Sequence, residues 1–123
     1  MRKKTILIAD DEPDIRALVK ALLNKDFTVI EAGDGNEAVK VAMRYSPDLI
    51  LMDIIMPGVD GYTACSVLKK QKVTKPIPVV MATGVGFSLN KRLSKEVGAD
   101  GYITKPFNLN KLLTIINQFL KDS

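Results

Sequence analysis

Asp48-Leu49-Ile50-Leu51-Met52-Asp53 is the stretch that decides the architecture: four apolar residues in a row, closed at each end by an acid. A strand with one wet face alternates apolar and polar residues. An unbroken apolar run is expected of a parallel strand covered on both faces. Two further runs share this character, Ile6-Leu7-Ile8 within Thr5–Ala9 and Val79-Val80-Met81-Ala82 within Pro78–Thr83. Thr28–Ala32 and Gly101–Thr104 complete five candidate strands.

Between the strands lie helical patterns. Pro13–Lys25 opens on a first-turn proline and sets Ile15, Leu18, Val19, Leu22 and Leu23 on one stripe. Asn36–Tyr45 offers Ala38, Val39, Val41 and Ala42, and Tyr62–Lys72 offers Ala64, Cys65 and Leu68, with Asp60 placed to cap it. Phe87–Val97 has only Leu89, Leu93 and Val97 at a spacing of four, with Gly98 as a left-handed cap. Asn108–Lys121 carries Leu109, Leu112, Leu113, Ile116, Phe119 and Leu120 along one face. The pattern is (βα)₅, an α/β doubly wound parallel sheet with helices on both faces. It has no repeat, linker or low-complexity segment.

Composition narrows the chemistry. The 123 residues suffice for one domain and are too few for two. There is no histidine, which removes Ser-His-Asp and Cys-His nucleophile systems and histidine metal sites. The lone Cys65 excludes an internal disulfide. The apolar run after Met1-Arg2-Lys3-Lys4 stops at Asp10, too short for a secretory signal. No stretch is long and apolar enough to span a membrane, so a cytoplasmic location is expected. Residues 1–62 hold 8 Lys/Arg against 11 Asp/Glu, whereas residues 63–123 hold 10 against 3. Those lysines are dispersed without interleaved aromatics, which suits a solvated protein-facing surface better than nucleic acid.

In a doubly wound sheet, ligands bind beyond the carboxyl ends of the strands, where strand order reverses. Here strand one ends in Asp10-Asp11, strand three in Asp53, strand four in Thr83, and strand five in Thr104-Lys105-Pro106. Gathered carboxylates repel one another by a few kcal/mol per close pair at an effective dielectric of about 20. They stay ionised together when a cation compensates. An all-oxygen donor set that leaves room for water and phosphate suits Mg²⁺ better than Ca²⁺.

Asp10-Asp11-Glu12-Pro13, Leu51 through Gly61, Ala82-Thr83-Gly84 and Gly98 through Phe107 together resemble the receiver domain of two-component response regulators. The likeness is to the single-domain chemotaxis-regulator or sporulation-phosphorelay kind and covers essentially the whole chain. It implies a flavodoxin-like sheet of strand order 2-1-3-4-5, with residues 1–123 forming one receiver and no output domain. It implies that Asp53 is the phosphoacceptor, taking a phosphoryl group from a sensor histidine kinase or a histidine phosphotransfer protein. Asp11 and Asp53 would ligate Mg²⁺, with Asp10 mainly through water and the backbone carbonyl of Ile55 completing the set. Lys105 and Thr83 would hold phosphoryl oxygens, Thr83 and Tyr102 would relay the switch, and Lys105-Pro106 would be a cis peptide. The fourth-helix, fifth-strand and fifth-helix face would change to alter binding of a downstream protein. The chain would be no enzyme towards other molecules, catalysing only its own phosphorylation and slow autodephosphorylation, and a monomer when unphosphorylated.

Departures from the family pattern shape further expectations. Gly84 and Gly86 flank a loop expected to be mobile before phosphorylation. Ile55 and Val85 are apolar and unable to orient an attacking water, so a long-lived acyl phosphate is expected. Gly101 and Asn117-Gln118 lack the acidic and arginine partners used by dimerising DNA-binding members. A basic surface of Lys91, Arg92, Lys95 and Lys111 points instead to an acidic protein partner. The competing readings are a receiver excised from a longer regulator, a receiver used purely for interaction, and a small phosphohydrolase. The last wants a DxD motif and a cap, neither of which the sequence offers.

Overall fold

The computed structural model describes residues 3–84 and 91–120. Five strands alternate with five helices: β1 (Lys4–Ala9), α1 (Pro13–Leu23), β2 (Phe27–Ala32), α2 (Gly35–Tyr45), β3 (Leu49–Asp53), α3 (Gly61–Lys70), β4 (Val79–Thr83), α4 (Lys91–Glu96), β5 (Gly101–Thr104) and α5 (Leu109–Leu120). All strand pairs are parallel, in the order β2-β1-β3-β4-β5.

The apolar runs are continuous because successive residues serve opposite faces. Ile6, Ile8, Leu49 and Leu51 pack against Val19 and Leu23 of α1 and Leu112 and Ile116 of α5. Leu7, Ile50, Met52 and Met81 pack against Ala38 and Ala42 of α2 and Ala64, Cys65 and Leu68 of α3. Each large aliphatic side chain so buried contributes on the order of 1.5–3 kcal/mol. Burial also pushes the Cys65 thiol up to about 11, which leaves it a packing residue rather than a thiolate.

Helix starts follow local capping chemistry. Asp34 accepts from the Glu37 amide while the Glu37 carboxylate accepts from Gly33, so α2 begins one residue earlier than its apolar pattern suggests. Asp60 caps α3 through the Thr63 amide, and Asn108 caps α5 through the Lys111 amide. Two helix ends correct the sequence reading. α1 stops at Leu23, where Asn24 closes the last turn, and α3 stops at Lys70 rather than Lys72. The described part of α4 begins at Lys91, and the expected onset at Phe87 lies outside the described residues. Leu18 and Leu109 leave their expected apolar stripes and are exposed, because each lies on the helix flank turned from the sheet. Asp48 stays just outside β3, its carboxylate accepting from the Thr5 amide.

Candidate functional site

Strand order reverses about β1, so the carboxyl ends of β1 and β3 border the crevice. β1 delivers Asp10, whose amide extends the ladder to the Ala32 carbonyl before the chain turns. The Asp10 carboxylate is buried; Oδ1 accepts from the Glu12 amide at 2.9 Å, and Lys105 Nζ stands 2.7 Å from Oδ2. That last contact is an ion pair, and Oδ2 accepts no well-angled hydrogen bond. Asp11, next along, is exposed.

Asp53 closes β3 and is only 7% exposed. Lys105 Nζ lies 3.4 Å from its Oδ2, so one ammonium serves two carboxylates. Ligand oxygens of Asp10, Asp11 and Asp53 all lie within 4.8 Å of one another. Burial, and next the Asp10 charge, push the Asp53 carboxyl up to about 6 against the pull of Lys105. Burial works against the Lys105 ammonium, yet Asp10 and Asp53 hold its pKa above the ordinary lysine value.

β4 brings Thr83, nearly fully buried, beside this cluster, and the Lys105 amide donates to the Thr83 carbonyl at 2.7 Å. The Lys105–Pro106 peptide is cis. A cavity of about 260 Å³ opens over the cluster, lined by Asp11, Glu12, Asp53, Ile55, Thr83, Gly84, Lys105 and neighbours. Ile55 stands at its mouth, 60% exposed. The loop after β3 is held close. The Gly61 amide donates to Ile54, and a Cβ on Gly61 would overlap the Asp53 carbonyl oxygen. Gly58 has a positive φ of 72°, the backbone turn that glycine tolerates.

The sequence-derived residues therefore divide. Asp10, Asp11, Asp53, Thr83 and Lys105 converge. Tyr102 does not line this cavity; the residue is 47% exposed beside the groove between β5 and α5. Val85 and Gly86 lie outside the described residues. Of the basic surface, Arg92 and Lys95 are exposed on α4, with Arg92 paired to Glu96. Lys111 is half-buried, and its ammonium turns back at the surface onto the carbonyls of Thr104 and Pro106 and the Thr104 hydroxyl. Sequence reasoning missed Arg16, which donates to the Asp10 carbonyl at 2.6 Å and to Glu31 at 3.0 Å. Its only local signal was an arginine one turn into a helix after three acids.

A cluster of three acids, two of them buried, with one lysine, set at the strand ends of this sheet, defines a class of phosphoryl-handling α/β sandwich. The response regulator receiver domain model matches residues 6–117, and the chain belongs to that family of phosphoacceptor signalling switches. It is 40% identical over 119 residues to the phosphate regulon transcriptional regulatory protein PhoB of Pseudomonas aeruginosa, covering 96% of this chain and 52% of that protein. The chemotaxis protein CheY4 of Vibrio cholerae superposes with a TM-score of 0.90 at 32% identity, covering 97% of this chain and 100% of that one. The receiver domain of the Pseudomonas aeruginosa sensor histidine kinase PA1611, solved with magnesium coordinated in its active-site cleft, gives 0.87 at 28% identity over 96% and 98% of the two chains. The chain spans about half the length of several curated relatives that it matches. Among the described residues, no helix is long and apolar enough to cross a membrane.

Proposed function

We propose that Asp53 is the phosphoacceptor of this receiver and that Asp10, Asp11 and Asp53 hold Mg²⁺. The observation that carries the reading is a local surplus of negative charge: two carboxylates share one ammonium, a third stands within 4.8 Å of both, and an open cavity adjoins the cluster. The donor set fits the ion, since it is all oxygen and brings carboxylate oxygens of three residues within 4.8 Å of one another. Ile55 lines the same cavity, in keeping with its backbone carbonyl as a further ligand. When bound, Mg²⁺ offsets negative charge on the phosphoryl oxygens.

A carboxylate oxygen of Asp53 attacks the phosphorus of a partner's phosphohistidine. The P–N bond breaks and the imidazole leaves with its electron pair, taking a proton from solvent. Lys105, already poised between Asp10 and Asp53, moves its ammonium onto a phosphoryl oxygen and so favours the charge that develops there. Thr83 donates its hydroxyl to another such oxygen. Tyr102 then turns inward from its exposed position, and the α4-β5-α5 face changes for a downstream protein. Exposed Arg92 and Lys95 on α4 favour an acidic partner there. The chain acts on itself alone, with slow loss of its own phosphoryl group. It works as a cytoplasmic monomer before phosphorylation, whether alone or as the receiver of a longer regulator.

The test is amide NMR with beryllofluoride, a phosphoryl mimic. Mg²⁺ and beryllofluoride together should shift Thr83 and Tyr102, and neither shift should occur without Mg²⁺ or in Asp53→Asn. Equal shifts in Asp53→Asn would remove Asp53 from the reading.

A further inference from the structure

The Asp10–Asp11 peptide joins two of the three acids, and what fixes that peptide fixes their mutual geometry. The peptide is planar, so holding the Asp10 carbonyl oxygen orients the Asp11 amide and the bond from which the Asp11 side chain departs. Past the Asp10 amide, β2 gives way to Gly33 and the cap of α2, and among the described residues no strand donor follows for the Asp10 carbonyl. Arg16, one turn into α1, supplies it: Nη1 donates to that oxygen at 2.6 Å. Nε meanwhile donates to Glu31 Oε1 at 3.0 Å, tying the guanidinium to β2. The Arg16 side chain is 19% exposed, so this is a packed fork rather than a solvated pair. Among the described residues, no hydrogen bond or ion pair holds the Asp11 carboxylate itself. Its aim depends on the backbone behind it.

We infer that Arg16 is a positioning residue for the metal site, acting through the Asp10–Asp11 peptide, with Glu31 as its anchor. The inference rests on the reading of Asp10, Asp11 and Asp53 as Mg²⁺ ligands. Losing the fork leaves the Asp11 carboxylate free to sample orientations that miss the ion, which weakens Mg²⁺ binding. The phosphoryl-transfer rate at saturating Mg²⁺ should change far less, because Arg16 touches neither Asp53 nor Lys105.

Calorimetric titration of Mg²⁺ into the metal-free protein tests this, with Arg16→Met, Arg16→Lys and the parent chain side by side. Arg16→Met should weaken Mg²⁺ binding about tenfold, the scale expected when an outer partner of a ligand is lost. Arg16→Lys, with one donor centre instead of a fork, should fall between. The rate of phosphorylation by acetyl phosphate in Arg16→Met should recover to within about threefold of the parent once Mg²⁺ is raised about tenfold. Unchanged Mg²⁺ affinity in Arg16→Met beside a parent that binds would overturn the inference and leave the metal site standing. A parent that takes up no Mg²⁺ would overturn both. Should Arg16→Met not fold, Glu31→Met, which removes the acceptor, decides: weaker Mg²⁺ binding supports the inference, and parental affinity overturns it.

Discussion

Two lysines of this chain, similarly buried, sit at opposite ends of the sheet. Lys69 reaches the start of β4 and β5 from the last turn of α3, with 15% of its side chain exposed. Lys105 reaches the carboxyl ends of β1 and β3, with 16% exposed. Each has a carboxylate within 2.8 Å. Lys69, however, meets one acid, Asp100, and places hydrogen bonds on the carbonyls of Lys75 and Ile77. Asp100 in turn accepts from the Val79 amide, and the aliphatic stem of Lys69 lies against Gly98. Charge is matched and the donors are satisfied, so this site is a strut. Lys105 faces two acids with a third near by, one carboxylate oxygen lacks a well-angled hydrogen bond, and space adjoins them. The difference teaches that a buried lysine–carboxylate contact is not itself a mark of function; the unmatched charge beside a cavity is.

That contrast can be broken by exchanging the outcomes of parallel substitutions. Lys105→Met should slow phosphorylation of the chain by small phosphodonors roughly hundredfold at saturating Mg²⁺, with the fold intact by circular dichroism. Lys69→Met should do the reverse. It should lower stability to denaturant by about 1–2 kcal/mol, because the carbonyls of Lys75 and Ile77 lose their donor, and leave the phosphorylation rate within about twofold. A rate loss in Lys69→Met matching that in Lys105→Met would erase the distinction between strut and site.

A sharper form uses pH. The Asp53 carboxyl stands at about 6 in the fold against an ordinary 3.8, so ionising it costs the folded state free energy. The cost is absent below the unfolded value and complete above the folded one. Asp53→Asn should therefore be more stable than the metal-free parent by about 2–3 kcal/mol at about pH 8. The gain should fade as pH drops from about 6 to about 4. Mg²⁺ should close the gap by stabilising the parent. The smallest expected effect belongs to Ile55, the apolar residue at the cavity mouth. Ile55→Ala should shorten the acyl phosphate lifetime about two- to threefold by admitting water, measured as loss of phosphoprotein after donor removal.

The fold was legible because a strand buried on both faces must be apolar along its length, and Leu49–Met52 and Val79–Ala82 leave no other good reading. The convergence of Asp10, Asp53, Thr83 and Lys105 followed from where those strands end. Features that depend on distant partners were not legible. The Lys69–Asp100 strut joins residues whose nearness exists only once α3 and β5 are packed. Arg16 and Glu31 meet across the α1–β2 connection. Lys111 read as surface charge because nothing in its neighbours announces three acceptors in the turn behind it. Ser46, which ends α2 with a positive φ of 45°, is likewise set by the chain's need to reverse rather than by its own preference.

The most direct test of the central claim is peptide mapping by mass spectrometry after incubation with acetyl phosphate, with and without Mg²⁺. The account predicts a single phosphoryl group on Asp53, formed only when Mg²⁺ is present and absent in Asp53→Asn. A phosphoryl group on another residue, or none in the presence of Mg²⁺, would contradict it.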